Sequence, residues 1–395
     1  MDANIFTSDQ VKQFISDHRD DDIQKLLLSP PAEFKEHITF IVDQILSRRK
    51  AKTKLPEWYA NSGLILPPPL SLEQSSSPAT SAYKSKLIKG EVLVDLTGGM
   101  GVDTIAFSSH FKNVHYVEMN ESIYTVFEHN RDVLGKRTIK THHQTAEDFL
   151  TSFPGKACFF IDPARRDQNK SRVFRFEDCS PNVVELIPEF KAKAKRVLVK
   201  AAPMIDLSLG IEELQYVSEV HVVSVKNEVK EVLFLLDLEN ALNAEPLIRC
   251  VNLETFHSPF EFRPSQERTT ENTLRELGQY LYDPNSSILK AGAFKLVGEK
   301  FGLKKLATNT HLYTSDELIN EFPGRVWKVI ETVINKKNIA QLLPGGKANV
   351  ITKNYPQKPD ELKKKLKIKD GGVQFLIGFR NGNNKPLLIL ANQAK

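Results

Sequence analysis

Apolar positions recur at three- and four-residue spacing from about residue 7 to 49: Val11, Phe14, Ile15, Ile23, Leu26 and Leu27, then Phe40, Ile41 and Ile45. That period puts them on one face of amphipathic helices, with Thr7 or Ser8 as the first cap, and predicts a small helical N-terminal region. Pro56 and the stretch 66–77, with its PPP and SSS runs, break the pattern and read as a linker or lid. A domain boundary is therefore expected near residue 75. Ser77-Pro78 opens the next helix, a cap followed by Pro at the first helical position.

From residue 92 the period changes. Short β-rich apolar runs recur at VLVDL (92–96), VHYVE (114–118), ACFFID (157–162), RVLVKA (196–201), EVHVVSV (219–225) and EVLFLLD (231–237), with helical stretches between most of them. Strands alternating with helices predict a mainly parallel sheet covered on both faces. After Asp237 the alternation ends: residues 240–275 are mixed and polar, residues 276–335 read as short helices and strands, and ANVIT, VQFLIGF and PLLIL are strands around the Lys-rich PDELKKKLKIKD. A separate α+β module of about 100 residues or more fits this stretch.

Composition adds bounds. With 395 residues, 41% hydrophobic and 26% charged, the chain is a folded protein of two or three domains, and disulfide scaffolds and global disorder are excluded. The net charge of +5 hides an asymmetry: residues 336–395 carry +10 and the rest −5. Cys158, Cys179 and Cys250 have no CxxC spacing, which fits a reducing compartment, so a cytoplasmic location is expected. MDANIFTSDQ lacks a basic-then-apolar leader pattern and no stretch of about 18 apolar residues occurs, so no membrane association is expected. His142 and His143 are adjacent, outside any HxxxH or His/Cys cluster, and no metal is expected.

The chemistry concentrates in VLVDLTGGMGVDTIAF: a strand, the acid Asp95, then Gly98, Gly99, Met100 and Gly101, then a helix. Glycines at a strand-to-helix turn let a ligand approach the backbone, and the helix N-terminus adds a positive field. The carboxylate ahead of the glycines suits an ammonium group better than a pyrophosphate. Thr104 stands where a dinucleotide fingerprint needs Gly or Ala, which disfavours a dehydrogenase. Glu118 ends the next strand 17 residues after Gly101, where it can accept from both hydroxyls of a ribose. Amine, carboxylate and ribose without phosphate describe S-adenosylmethionine (SAM).

At Asp95, Gly99, Gly101 and Glu118 the sequence resembles the class I SAM-dependent methyltransferases. The resemblance implies a Rossmann-like, seven-stranded α/β sheet and makes Asp95, Gly98, Gly99, Gly101, Glu118, Thr145 and Ala146 the expected cofactor-binding residues. Thr145 stands where that family often has an acid contacting the adenine amine; Glu147 or Asp148 could serve instead. FFIDPARRD is similar to the Asp/Asn-Pro-Pro-aromatic motif of enzymes that methylate exocyclic amines of bases, so Asp162, Pro163 and Arg165 are the expected catalytic residues, although Ala164 and Arg165 replace the second Pro and the aromatic. A side-chain oxygen there accepts the amine protons and aims the nitrogen lone pair at the methyl group. Downstream, Arg172, Phe174, Arg175 and Phe176 give either a nucleic-acid surface or a half-buried edge. Lys200 is expected near the site as a solvated side chain, and Gln74, Ser76 and Thr80 flank the pocket in the resemblance.

The C-terminal segments resemble the ferredoxin-like and THUMP-like modules that follow this catalytic domain in one family of bacterial methyltransferases. The resemblance implies an N-terminal helical region (1–75), a methyltransferase domain (76–240), a ferredoxin-like connecting module (241–320) and a THUMP-like domain (321–395). THUMP domains bind RNA, and +10 over 60 residues supplies the sequence-independent attraction that phosphate binding needs. The function implied is methyl transfer from SAM to a base, favouring an exocyclic amine, in structured RNA such as tRNA or rRNA. An RNA-binding protein with a degenerate cofactor site, or a methyltransferase acting on a protein or small molecule, are the alternatives at this stage.

Overall fold

The computed structural model describes residues 8–165, 175–332, 339 and 341–394. The chain divides into two compact units, residues 1–218 with 232–244 and residues 219–231 with 245–395.

The first unit begins with α1 (Asp9–Asp17), α2 (Ile23–Leu28), a 3₁₀ turn and α3 (Ile38–Lys54). Ser8 occupies the N-cap of α1 without a side-chain bond, whereas Asp22 caps α2 by accepting from Gln24 N–H. Val11, Ile15, Leu26, Ile38, Ile41 and Ile45 form the core the helical spacing predicts. The 66–77 stretch is not a loose linker. Leu64, Ile65 and Leu66 are buried, and two side-chain amides pair with this backbone as a neighbouring strand would. Gln44, on α3, takes Leu66 N–H at 2.9 Å and donates to its carbonyl at 2.5 Å. Asn130 does the same for Ile65 at 2.8 and 2.7 Å. Pro67, Pro68 and Pro69 carry no N–H and cannot extend a ladder, so amide side chains rather than a strand satisfy the buried Ile65 and Leu66 backbone groups. The short helices α4 (Pro56–Ala60), α5 (Pro69–Gln74) and α6 (Pro78–Lys84) follow, the last opened by the Ser77/Thr80 capping box.

Strands β1 (Val92–Asp95), β2 (Asn113–Glu118), β3 (Lys140–His143) and β4 (Ala157–Ile161) are parallel. A short ribbon of β5 (Ala164–Arg165) and β6 (Cys179–Ser180) lies beyond β4, and β7 (Ala194–Ala201) runs parallel to β4. β8 (Val217–Val225) and β9 (Glu228–Leu236) form a hairpin whose second strand turns antiparallel against β7 through residues 232–236. The resulting order, β3-β2-β1-β4-β7-β9-β8, is the Rossmann-like methyltransferase sheet. β4 is buried at every residue and β1 at three of its four, because helices cover both faces of such a sheet. Those helices include α7 (Val102–Phe107), α8 (Glu121–Val133), α9 (Ala146–Ser152), α10 (Val183–Lys193) and α11 (Leu207–Leu214).

In the second unit β10 (Leu247–Leu253) runs parallel to β8 residues 219–225, and β11 (Phe260–Phe262) is antiparallel to β10. Thus the mixed stretch 240–275 holds strands the composition hid: in LIRCVNL the buried Ile248, Cys250 and Val251 are interleaved with polar residues. A separate seven-stranded sheet follows, built from β12 (Tyr280–Pro284), β13 (Lys304–Ala307), β14 (Thr310–Ser315), β15 (Gly324–Thr332), β16 (Asn349–Lys353), β17 (Gln374–Arg380) and β18 (Pro386–Gln393). Its order is β13-β14-β12-β15-β18-β17-β16, antiparallel except for β16–β17. Successive residues of β18 point to opposite faces: Leu388 and Leu390 join one core with Leu362 and Ile368, and Ile389 and Ala391 join another with Trp327 and Leu281. Burial on both sides is why PLLIL reads as a continuous apolar run.

Candidate active site

Glycine placement shapes the ligand-facing turn between β1 and α7. A Cβ on Gly98 would fall 2.1 Å from the Tyr116 ring, and one on Gly101, at φ +81°, would fall 2.0 Å from Phe127. Those two rings stack at 3.7 Å directly beneath the turn. Gly98 and Gly101 are thus demanded by packing, whereas a Cβ on Gly99, at φ +54°, would make only an ordinary contact with the Thr97 carbonyl oxygen at 3.9 Å. The turn is pinned by Gly98 N–H donating to Val117 carbonyl at 2.9 Å and by the Tyr116 hydroxyl donating to Gly99 carbonyl at 2.7 Å. Glu118 accepts from Gly99 N–H at 2.9 Å and from Asn120 N–H at 2.8 Å, which fixes its carboxylate beside the glycines.

Asp95, only 1% exposed, accepts from the Thr104 hydroxyl at 2.5 Å and from Thr97 N–H at 3.2 Å. Burial pushes its carboxyl up to about 7; the Thr104 bond pulls it down, and the Asp103 carboxylate adds to the rise. Thr104, which spoiled the dinucleotide fingerprint, is therefore an anchor for Asp95. Thr97 also ties the turn to the next strand: its hydroxyl accepts from Asp162 N–H at 2.7 Å.

A cavity of about 360 Å³ lies over this turn. Its wall contains Asp95, Gly98, Gly99, Gly101, Glu118 and Asp162, which the sequence predicted, together with Ala146 and Glu147 at another part of the wall. Thr145 does not line it. Its hydroxyl caps α9, taking Asp148 N–H at 3.1 Å and meeting the Asp148 carboxylate at 2.8 Å, so of the acids offered in its place Glu147 reaches the cavity and Asp148 serves the cap. Pro163 is buried and outside the lining, and Arg165 lies exposed on β5 opposite Cys179, also outside it; Ala164 is on the wall instead. Arg172 and Phe174 lie outside the described residues. Phe176 is fully buried against Phe234, with Arg175 outward beside Glu177, so this part of the segment follows the half-buried-edge alternative.

Two lysines change the picture. Lys200, near the end of β7, is not solvated: its side chain is 12% exposed and forms an ion pair with the Asp162 carboxylate. Lys84 is 0% exposed and reaches Ser76 Oγ at 2.8 Å and Asp103 at 3.2 Å, while Ser76 donates to Asp103 at 2.7 Å. Ser76 and Asp103 are on the cavity wall with Gln74; Thr80 is not, being spent on the cap of α6. Asp103 was missed in the sequence because it reads as an ordinary first-turn acid of a helix. Pro67 and Ser71 also face the cavity, so the 66–77 stretch forms part of its wall.

The donor set suits one kind of ligand. Asp95, Asp103, Glu118, Glu147 and Asp162 face the cavity with Lys200 as a cation, which favours a ligand carrying positive charge. SAM, with sulfonium, ammonium and carboxylate, is such a ligand, and Gly99 leaves its approach open. No group of three or more His, Cys, Asp or Glu side chains arranged to hold a metal occurs among the described residues, and among them no helix is long and apolar enough to cross a membrane.

Sheet order, glycine turn and acidic cavity together define a class I SAM-dependent methyltransferase. The comparisons agree. Residues 280–323 match a ferredoxin-like domain model and residues 324–393 a THUMP-domain-like model. An uncharacterized S-adenosylmethionine-dependent methyltransferase of Mycobacterium tuberculosis H37Rv is 23% identical over 357 residues, 89% of this chain and 95% of that one. The crystal structure of a candidate methyltransferase from Porphyromonas gingivalis W83 is 32% identical with a TM-score of 0.87, covering 100% of both chains. The chain belongs to the family of that Porphyromonas protein, methyltransferases with ferredoxin-like and THUMP-like modules at the C-terminal end.

Proposed function

We propose that this methyltransferase modifies a base, favouring an exocyclic amine, in structured RNA such as tRNA or rRNA. The observation that carries the reading is Asp162: it stands on the cofactor cavity's wall at the carboxyl end of β4, tied through Thr97 to the β1 turn. A carboxylate there accepts an N–H of the incoming amine and turns its lone pair toward the methyl group. SAM supplies an electrophilic methyl on its sulfonium. Asp95 and the Gly98, Gly99 and Gly101 turn hold the methionine end, Glu118 accepts from the ribose hydroxyls, and Ala146 and Glu147 meet the adenine. Pro163 shapes the backbone after Asp162. Arg165, exposed beside the cavity mouth residue Ala164, offers a guanidinium for stacking or phosphate contact. The net +10 over residues 336–395 and the THUMP-like match supply the grip on RNA.

The test is transfer of labelled methyl from SAM into total RNA from a strain lacking the gene, with Asp162→Ala beside the unmodified protein. Label in RNA from the unmodified protein alone is expected. Label in protein or small molecules that survives ribonuclease, with none in RNA, would move the acceptor to another class.

A further inference from the structure

Loops that enter neighbouring parallel strands lie at the same end of a sheet. β16 and β17 are such neighbours, with Asn349 opposite Phe375, so residues 344–347 ahead of β16 and 369–373 ahead of β17 come together. The helix Pro359–Leu366 connects the two strands and must return to the end where β17 begins, which brings Lys363, Lys364 and Lys365 of its last turn there as well. Backbone bonds fasten the loops: Lys369 N–H donates to Gly346 carbonyl at 2.9 Å, and Ala348 N–H donates to Lys369 carbonyl at 3.1 Å. Lys347 and Lys369 are thereby parallel bridge partners, with both side chains on one side of the bridge and both exposed. Neither ammonium has an ion pair among the described residues, and the adjacent Asp370 is paired with Lys363 at 2.8 Å. Like charges side by side across a bridge repel, so this pair weakens the free protein. A helix dipole rewards lysines in a last turn, which accounts for Lys363 to Lys365 and not for Lys347 and Lys369. Gly345 is equally unexplained by the fold: it lies outside the left-handed region, is exposed, and its Cβ would meet nothing within 4 Å. Neither backbone nor packing requires glycine there, and its bareness leaves the chain beside the lysine pair open to close approach.

Resting on the RNA reading above, we propose that these two loops form the phosphate-binding surface of the C-terminal module. Lys347 and Lys369 converge on one phosphodiester of the RNA, which lies against the bare backbone at Gly345. Bridge partners stand about 5 Å apart at Cβ, and the flexible four-carbon stem of each lysine lets both ammoniums reach one phosphate. The shared anion turns the repulsion of the free protein into two charge-assisted contacts. Lys364, Lys365 and Lys367, exposed at the same end, extend the track to neighbouring phosphates. RNA is favoured over an acidic protein because both loops lie inside residues 324–393, the THUMP-domain-like match. Phosphate contacts carry no sequence information, so this surface positions the RNA and leaves the choice of base to the cofactor cavity.

The experiment compares the unmodified protein with the pair variant Lys347→Gln/Lys369→Gln, with Gly345→Leu, and with a control pair, Lys304→Gln/Lys328→Gln, whose exposed lysines lie on β13 and β15. Filter binding of total RNA from the deletion strain is read from about 50 to 200 mM salt, beside labelled-methyl transfer, SAM affinity and melting. The pair variant is expected to bind RNA about tenfold more weakly, with the logarithmic salt slope flattened by about 1. It keeps SAM affinity within about twofold and melts no lower than the unmodified protein, because a repulsion has been removed. Gly345→Leu weakens RNA binding without changing the slope, since bulk and not charge is altered. RNA affinity of the pair variant within about twofold of the unmodified protein, or an equal loss in the control pair, overturns the surface. The RNA reading then stands wherever the unmodified protein still labels RNA. A lowered melting temperature in the pair variant makes the two lysines structural and also overturns it. If the unmodified protein labels no RNA, the RNA reading falls and this surface falls with it; retention of polyglutamate would then assign the loops to an acidic protein.

Discussion

At the scale of single residues, Asp95 links stability to ligand binding. Burial lifts its carboxyl to about 7 in the folded chain, well above the ordinary carboxylate range, so the folded state holds the proton more tightly than the unfolded one. Its contribution to stability is therefore full below about pH 4 and is lost as pH rises through 7, by up to about 4 kcal/mol. A ligand ammonium at Asp95 reverses the preference by pairing the ionised form. Between pH 6 and 7 the ionised fraction rises about fivefold, and SAM affinity should rise by the same factor. Asp95→Asn should bind SAM more weakly, lose that slope, and melt at a higher temperature than the unmodified protein at pH 8 without ligand. Calorimetric titration and melting curves across pH read all three, and an unchanged slope in the variant would remove Asp95 from the ammonium site.

The glycines separate packing from binding in the same way. Gly101→Ala drives a methyl group into Phe127 and forces a side chain to φ +81°, for a cost of about 3 kcal/mol in urea unfolding. Gly99→Ala carries only the left-handed backbone penalty, about 1 kcal/mol, but fills the approach to the turn. SAM affinity should drop at least tenfold there while the fold persists. Equal unfolding costs at the two positions would contradict this division. Both glycines match one motif in the sequence, and only the Phe127 ring against Gly101 distinguishes their duties.

At the scale of elements, legibility followed burial. VLVDL, ACFFID and PLLIL were readable as strands because covering both faces leaves continuous apolar runs, and the mainly parallel character of the first sheet followed from alternation with helices. β10 was not readable, since the polar Arg249 and Asn252 interrupt its apolar residues. For the 66–77 stretch the sequence left linker and lid open, because proline and serine composition signals a break in periodicity and says nothing of the cavity it lines or of the amide side chains of Gln44 and Asn130 that hold the chain just ahead of it. Lys200 and Lys84 were hidden similarly, because a lysine's default is solvent and its partners, Asp162 and Asp103, come from other elements. The amide clamps give a prediction at this scale. Asn130→Ala strips both partners from the buried Ile65 backbone, which should cost about 2 to 4 kcal/mol. The Ile65 and Leu66 amides should exchange with deuterium well before those of β4, and SAM affinity should fall because Pro67, Ser71 and Ser76 share the cavity wall. Retained protection at Ile65 would show that packing alone holds the segment.

At the scale of the whole molecule, the basic charge and the cavity lie in different parts of the sequence: residues 336–395 carry +10, and residues 67–200 line the cavity. The helix α15 (Pro359–Leu366), numbered after α12 (Pro264–Thr269), α13 (Ser286–Ala291) and α14 (Leu296–Lys300), spends one lysine on structure: Lys363 pairs with Asp360 at 2.7 Å and with Asp370 at 2.8 Å. Lys364, Lys365, Lys367 and Lys369 are exposed. On the RNA reading proposed above, phosphate contacts release counterions, so affinity for RNA should fall steeply with salt, and the slope counts the contacts made. Reversing Lys364 and Lys365 to Glu together should weaken RNA binding at every sequence tested and flatten the logarithmic salt slope by about 1 to 2. SAM affinity should stay unchanged, because the cavity is built wholly from residues 67–200. Filter binding from low to moderate salt distinguishes this from recognition of base edges, for which loss of a contact changes sequence preference and leaves the slope alone. A flat salt response in the unmodified protein would assign the lysines to solvation and leave the THUMP-like module without an electrostatic part in substrate capture.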